Sequence, residues 1–107
     1  MAKYEIIYSK EYRKAIKKLD KSVLPQIEYV IDKLANDEIL ETKFKDHQLK
    51  GEYKDFRECH IKPDLLLIYR KNSNLLILIA FKLGSHSEIF KWKRVKLKLN
   101  SFQILIT

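Results

Sequence analysis

FRECHIKPDLLLIYRKNSNLLILIAF, residues 56–81, is three short apolar runs broken twice by turn residues. Phe56 to Ile61, Leu65 to Tyr69 and Leu75 to Phe81 are each of strand length and rich in β-branched and aromatic side chains. Pro63 separates the first pair, and Lys71-Asn-Ser-Asn separates the second. Connections this short imply antiparallel neighbours, so the three runs predict a meander. Upstream, Lys3 to Tyr8 (KYEIIY) reads as a further strand. Ser9 is placed to cap a helix over Lys10 to Leu19, on which Tyr12, Ala15, Ile16 and Leu19 share a face. A second helix follows Asp20 or Ser22, with Pro25 in its first turn and Val23, Ile27, Val30, Ile31 and Leu34 at helical spacing. The order β-α-α-β-β-β predicts an α+β fold: a small antiparallel sheet with a two-helix hairpin on one face.

The stretch from Asn36 to Lys54 is polar and contains one of only two glycines, Gly51, and reads as a long surface loop. A second irregular stretch, GSHSEIF, begins at Gly84. Beyond it the tail fits two periods: Val95, Leu97 and Leu99 alternate as on a strand, whereas Trp92, Val95, Leu99 and Phe102 recur as on a helix. We therefore divide the 107 residues into a domain over 1–90 and a basic, amphipathic extension over 91–107.

Composition narrows the class. A chain of this length buries about two-thirds of its unfolded surface and forms one domain. The longest apolar run is far below the ~20 residues that span a bilayer, and MAKYEIIYSK lacks the apolar core of a secretory signal, so a cytoplasmic address is expected. Cys59 is the single cysteine, which excludes an internal disulfide and a multi-cysteine zinc site. The net charge is +8, and the segment after residue 90 holds Lys91, Lys93, Arg94, Lys96 and Lys98 with no acid. That excess favours a polyanionic partner through counterion release. Lys50, Lys62, Lys91, Lys93 and Arg94 are the candidate RNA contacts.

Polar residues inside the apolar strands are the candidates for chemistry. Glu58 and His60 alternate to one side of their strand, and Cys59 and Ile61 point to the other, toward the helix-covered core. Asp64 opens the next strand, Lys82 ends the last one, and His86 follows in the loop. The expected picture is an open sheet face displaying acid, imidazole and ammonium groups, with His47 folding over it. His47, His60 and His86 lack the close pairing of a zinc site, so no metal and no cofactor are expected.

Three blocks, DHQLKG at 46–51, FRECHIKPDLLLIY at 56–69 and LGSHSEIF at 83–90, together resemble the YafQ-type branch of the RelE toxin family. The resemblance covers roughly residues 3–90. It implies a metal-independent endoribonuclease, the toxin of a toxin–antitoxin pair, that cuts messenger RNA on the ribosome. It also implies an acidic antitoxin as partner, with DNA reached only through that antitoxin. Carried over by position, the site residues are His47, Glu58, His60, Asp64, Lys82, His86 and Phe90. His86 is then the general acid, His60 with Glu58 or Asp64 the general base, and His47 the rival base. Lys82 stabilises phosphoryl charge and Phe90 stacks on or braces a base. Lys82 stands where the family commonly has Arg, Leu65 stands where some relatives have Trp, and the chain runs 17 residues past the usual end. Two other readings remain open: a non-catalytic RNA- or ribosome-binding domain of this fold, and an antitoxin-bound co-repressor.

Overall fold

Ser9 shows how the first corner of the molecule is made. Its side chain accepts a hydrogen bond from the Tyr12 backbone N–H at 3.0 Å, its hydroxyl donates to the Phe81 carbonyl, and its own N–H donates to Ala80 O at 3.0 Å. One residue thus ends the first strand, caps the first helix and pins both to the last strand. A computed structural model describes residues 2–94. Its elements are β1 (Glu5–Tyr8), α1 (Lys10–Lys18), α2 (Leu24–Ala35), β2 (His47–Gln48), β3 (Arg57–Lys62), β4 (Leu65–Asn72) and β5 (Ile77–Gly84). A third helix, α3, runs over 86–94.

The sheet is five-stranded in the order β1-β5-β4-β3-β2. The meander β3-β4-β5 is antiparallel as its short turns require. β1 is parallel to β5, with Glu5 opposite Ile77 and Tyr8 opposite Ala80. The sheet is therefore mixed rather than wholly antiparallel. Short turns fix direction only between successive strands, whereas the helical pair and three strands lie between β1 and β5, so their pairing is a long-range one that the local pattern does not encode.

Both faces of the sheet are covered, which corrects the expected open face. On one side α1 and α2 pack over Cys59, Ile61, Leu65, Leu67, Tyr69, Leu78, Ala80 and Leu83. On the other, Leu66 and Ile68 meet Leu49 and Tyr53 from the long loop and Ile89 from α3, with Phe56, Phe81 and Trp92 around them. Leu65 to Tyr69 are consecutively buried for this reason: β4 is central and has no solvated face. The long loop is also more ordered than its composition suggests, with 3-10 turns at Thr42–Phe44 and Gly51–Tyr53 around β2.

The GSHSEIF stretch, expected to be irregular, is largely helix. Residues 86–94 are helical and cross the expected boundary at 90/91, and Trp92 packs on Tyr53, Phe56 and Phe81. The strand and helix readings of the tail beyond 94 fall outside the described residues. A register shift at Ile68/Tyr69 leaves Phe81 as an extra residue in β5, with Lys82 opposite Ile68 and Ala80 opposite Tyr69. The alternation changes phase there, so Leu83 rather than Lys82 faces the helical core.

Candidate active site

Four separate segments bring the imidazoles together. β2 pairs with β3 so that His47 lies directly opposite Glu58, and two residues on, His60 lies opposite Leu66. The β3–β4 turn carries Asp64, and α3 begins at His86. The His60 and His86 rings meet edge to face with centroids 5.2 Å apart, and the His47 and His60 centroids are 6.5 Å apart.

Glu58 is the hub on one side. It is 7% exposed, and a carboxylate this buried requires partners. Its Oε2 lies 3.3 Å from His47 Nε2 and 3.9 Å from His60 Nε2. Its Oε1 takes Lys93 Nζ at 3.3 Å. His47 Nδ1 is 2.7 Å from the Lys45 carbonyl. A carbonyl only accepts, so Nδ1 carries a hydrogen there.

His86 is held differently. Asp64 Oδ1 accepts from the His86 backbone N–H at 2.9 Å and from its Nδ1 at 2.7 Å. One carboxylate oxygen therefore caps α3 and fixes the ring, leaving Nε2 as the nitrogen that this contact does not occupy. Those two donors, backbone first, hold the Asp64 carboxyl below the usual carboxylate range. Burial, the largest cause, pulls the His60 imidazole below its ordinary value. Glu58 opposes that shift, and His86, Lys45 and His47 add to it. A neutral His60 thus stands beside an oriented His86.

The two rings open onto a cleft of about 370 Å³ lined by Gln26, Lys43, Phe44, Lys45, His60, Lys62 and His86, with Ile61 and Pro63. Phe90, one turn after His86, is 61% exposed, with the Arg94 guanidinium 6.0 Å from its ring centre. Among the expected site residues, His47, Glu58, His60, Asp64 and His86 are gathered, and Phe90 stands on the adjoining turn.

Lys82 is not brought to the cleft. It shares a cross-strand row with Ile68, Glu58 and His47, but it lines a separate groove between α1 and α3 with Lys14, Lys18, Glu88, Lys91 and Trp92. Lys62 lines the cleft. Lys91 lies in the Lys82 groove, Lys93 is held on Glu58, and Lys50 is exposed at the turn before Gly51. Sequence reasoning missed Gln26, Lys43 and Lys45. The signal for Lys45 was its place two residues before His47, in a loop read only as polar.

The described residues show no helix long and apolar enough to cross a membrane, and no group of three or more His, Cys, Asp or Glu arranged to hold a metal ion.

Residues 3–91 match the family of bacterial toxins of type II toxin–antitoxin systems, YafQ. The chain is 32% identical over 93 residues to the mRNA interferase toxin YafQ of Escherichia coli K12, covering 84% of this chain and 99% of that protein. Its fold is similar to the toxin in the E. coli DinJ–YafQ toxin–antitoxin complex, with a TM-score of 0.73, 31% identity, and 82% and 98% of the two chains covered. It is also similar to a metal-bound toxin from Helicobacter pylori, with a TM-score of 0.71, 43% identity, and 79% and 97% coverage. The family match over residues 3–91, with relatives matched along nearly their whole length on a similar five-stranded fold, places the chain in the YafQ family of bacterial type II toxins.

Proposed function

We propose that this chain is an mRNA interferase that cleaves messenger RNA on the ribosome without a metal, acts in the cytoplasm, and is neutralised by an acidic antitoxin. The observation that carries the reading is the pair of unlike imidazoles at the cleft: His60 depressed by burial and His86 fixed by Asp64. His60 removes the proton from the ribose 2′-hydroxyl, and the 2′-oxygen forms a bond to the adjacent phosphorus. The bond from phosphorus to the 5′-oxygen breaks as His86 Nε2 delivers a proton to that oxygen. The products are a 2′,3′-cyclic phosphate and a free 5′-hydroxyl. Asp64 is the positioning residue for His86, and Glu58 aligns His47 and His60 through Oε2. Phe90, exposed beside the acid, offers a stacking surface to a base.

The antitoxin seats on the apolar groove between α1 and α2, lined by Tyr8, Tyr12, Ile16, Leu24, Ile27 and Ile31 and edged by Arg13 and Lys17. Glu28 and Asp32 line the same groove beside these cations, so its apolar lining, rather than net charge, suits an amphipathic segment. Incubation of the protein with programmed ribosomes tests the reading. Fragments ending in cyclic phosphate, formed equally in EDTA and absent with His86→Gln, are expected. Ribosome binding without fragments would leave only a binding module.

A further inference from the structure

A phosphoryl transfer between two imidazoles still needs a cation for the charge that builds on the non-bridging oxygens, and the lysine expected to supply it, Lys82, lines a different groove. We propose that Lys45 is the phosphate-holding cation of this site, a role that rests on the nuclease reading above.

Three of the other cations near the cleft, Lys43, Lys93 and Arg94, have contacts of their own. Lys43 Nζ lies over the Phe44 ring at 5.1 Å, and Lys93 is paired with Glu58. Lys62 also lines the cleft but is not among the charges that act on His60, and Arg94 lies over Phe90. Lys45 lines the cleft with His60 and His86, and its charge registers at His60.

The backbone points the same way. Lys45 closes the Thr42–Phe44 turn in the left-handed region, φ 49°, ψ 42°, where a residue with a Cβ is strained. That conformation puts the Lys45 carbonyl on His47 Nδ1 at 2.7 Å. One residue thus holds an imidazole ring with its backbone while lining both this cleft and the neighbouring pocket around Asp46, Arg57 and Lys71. Asp46, next in sequence, is anchored by Arg57 and Tyr69, so the loop has a fixed base from which to do this.

Lys45→Asn tests the charge while keeping a residue that tolerates left-handed backbone. Single-turnover cleavage on programmed ribosomes should slow about 100-fold, as when one preorganised oxyanion donor is removed. Lys45→Arg should recover most of the rate, and Lys82→Met should cost less than Lys45→Asn. His60 is faced by Glu58 from its own strand, His47 from β2, His86 from α3 and Lys45 from the loop. Removing Lys45 should therefore raise the pH at which the His60 ring titrates by NMR.

A 2′-O-methyl trinucleotide, which cannot be cut, should bind Lys45→Asn about tenfold more weakly, read from the His60 and His86 ring signals. Cleavage by Lys45→Asn within about threefold of wild type, or a larger loss in Lys82→Met, overturns the assignment while His86→Gln still reports on the nuclease. If the wild type cuts nothing, the nuclease reading fails, and trinucleotide affinity unchanged by Lys45→Asn overturns the phosphate role independently.

Discussion

In the proposed cleavage, His60 and His86, which lie edge to face, take opposite parts: one must be neutral to take a proton, the other charged to give one. Burial favours the neutral form of His60 in the fold, so the unfolded chain binds more protons between the lowered value and the ordinary 6.5. The stability contributed by His60 is complete above about pH 6.5 and is lost as pH falls through the folded value. Chemical denaturation from pH 7.5 down to 5 should show stability declining, and His60→Asn should flatten the slope. Cleavage should decline over the same acidic range as the base becomes protonated, with its midpoint below 6.5. His86→Gln removes the acid and should lower the single-turnover rate about 10²- to 10⁴-fold. An unchanged HSQC spectrum outside the cleft would separate that loss from misfolding.

Elements, rather than individual residues, decide whether these groups meet. α3 is held at its start by Asp64 and by the Ser85–Glu88 capping box, at its middle by the buried Ile89, and at its far end by Trp92 and the Lys93–Glu58 pair. Ile89→Ala should cost about 2–5 kcal/mol in denaturant titrations. It should also red-shift the emission of Trp92, the single tryptophan, as the second core loosens. Asp64→Ala removes both the cap and the ring's anchor, so it should lower the cleavage rate more than Asp64→Asn, whose amide oxygen still accepts. On the opposite flank, Tyr69 OH donates to Asp46 at 2.5 Å and accepts from Arg57 at 3.1 Å. Tyr69→Phe strips that buried junction and should cost about 1–3 kcal/mol, while loosening the loop that carries His47.

The strands of the meander were legible because alternation and short turns are local properties. So was α2, whose Pro25 lies at the start of the helix. α3 went unread although its start carries a local capping box, Ser85 Oγ accepting the Glu88 N–H at 3.2 Å and Glu88 Oε1 accepting the Ser85 N–H at 3.0 Å, because only Ile89 and Trp92 mark its apolar face on the second core. Glu58, His60, Asp64 and His86 could be named from their blocks, and the structure gathers them. The fate of Lys82 depended on an unpaired residue at Phe81, and that of Lys45 on a left-handed turn. Neither has a periodic signature.

At the scale of the molecule, charge and the remaining apolar groove govern what is bound. Ribosome affinity should fall steeply between low and physiological salt, as lysine–phosphate contacts require; a flat profile would mean that charge does not drive the encounter. Tyr8, 38% exposed and stacked on Tyr12 with centroids 5.1 Å apart, lies in the groove between the helices, away from the cleft. Tyr8→Glu should weaken capture by the acidic antitoxin about tenfold or more and leave cleavage as it was.

The parallel pairing of β1 with β5 has a temporal meaning as well as a spatial one. Glu5 waits for Ile77 before its strand has a neighbour, and the proposed acid, His86, which lines the cleft, lies further along. During translation the polypeptide therefore emerges as an incomplete and chemically harmless sheet. Under the proposed function, competence to cut requires β5 and α3 in place, a closure between residues far apart in the chain. A chain truncated before β5 should be unable to poison the ribosome that made it.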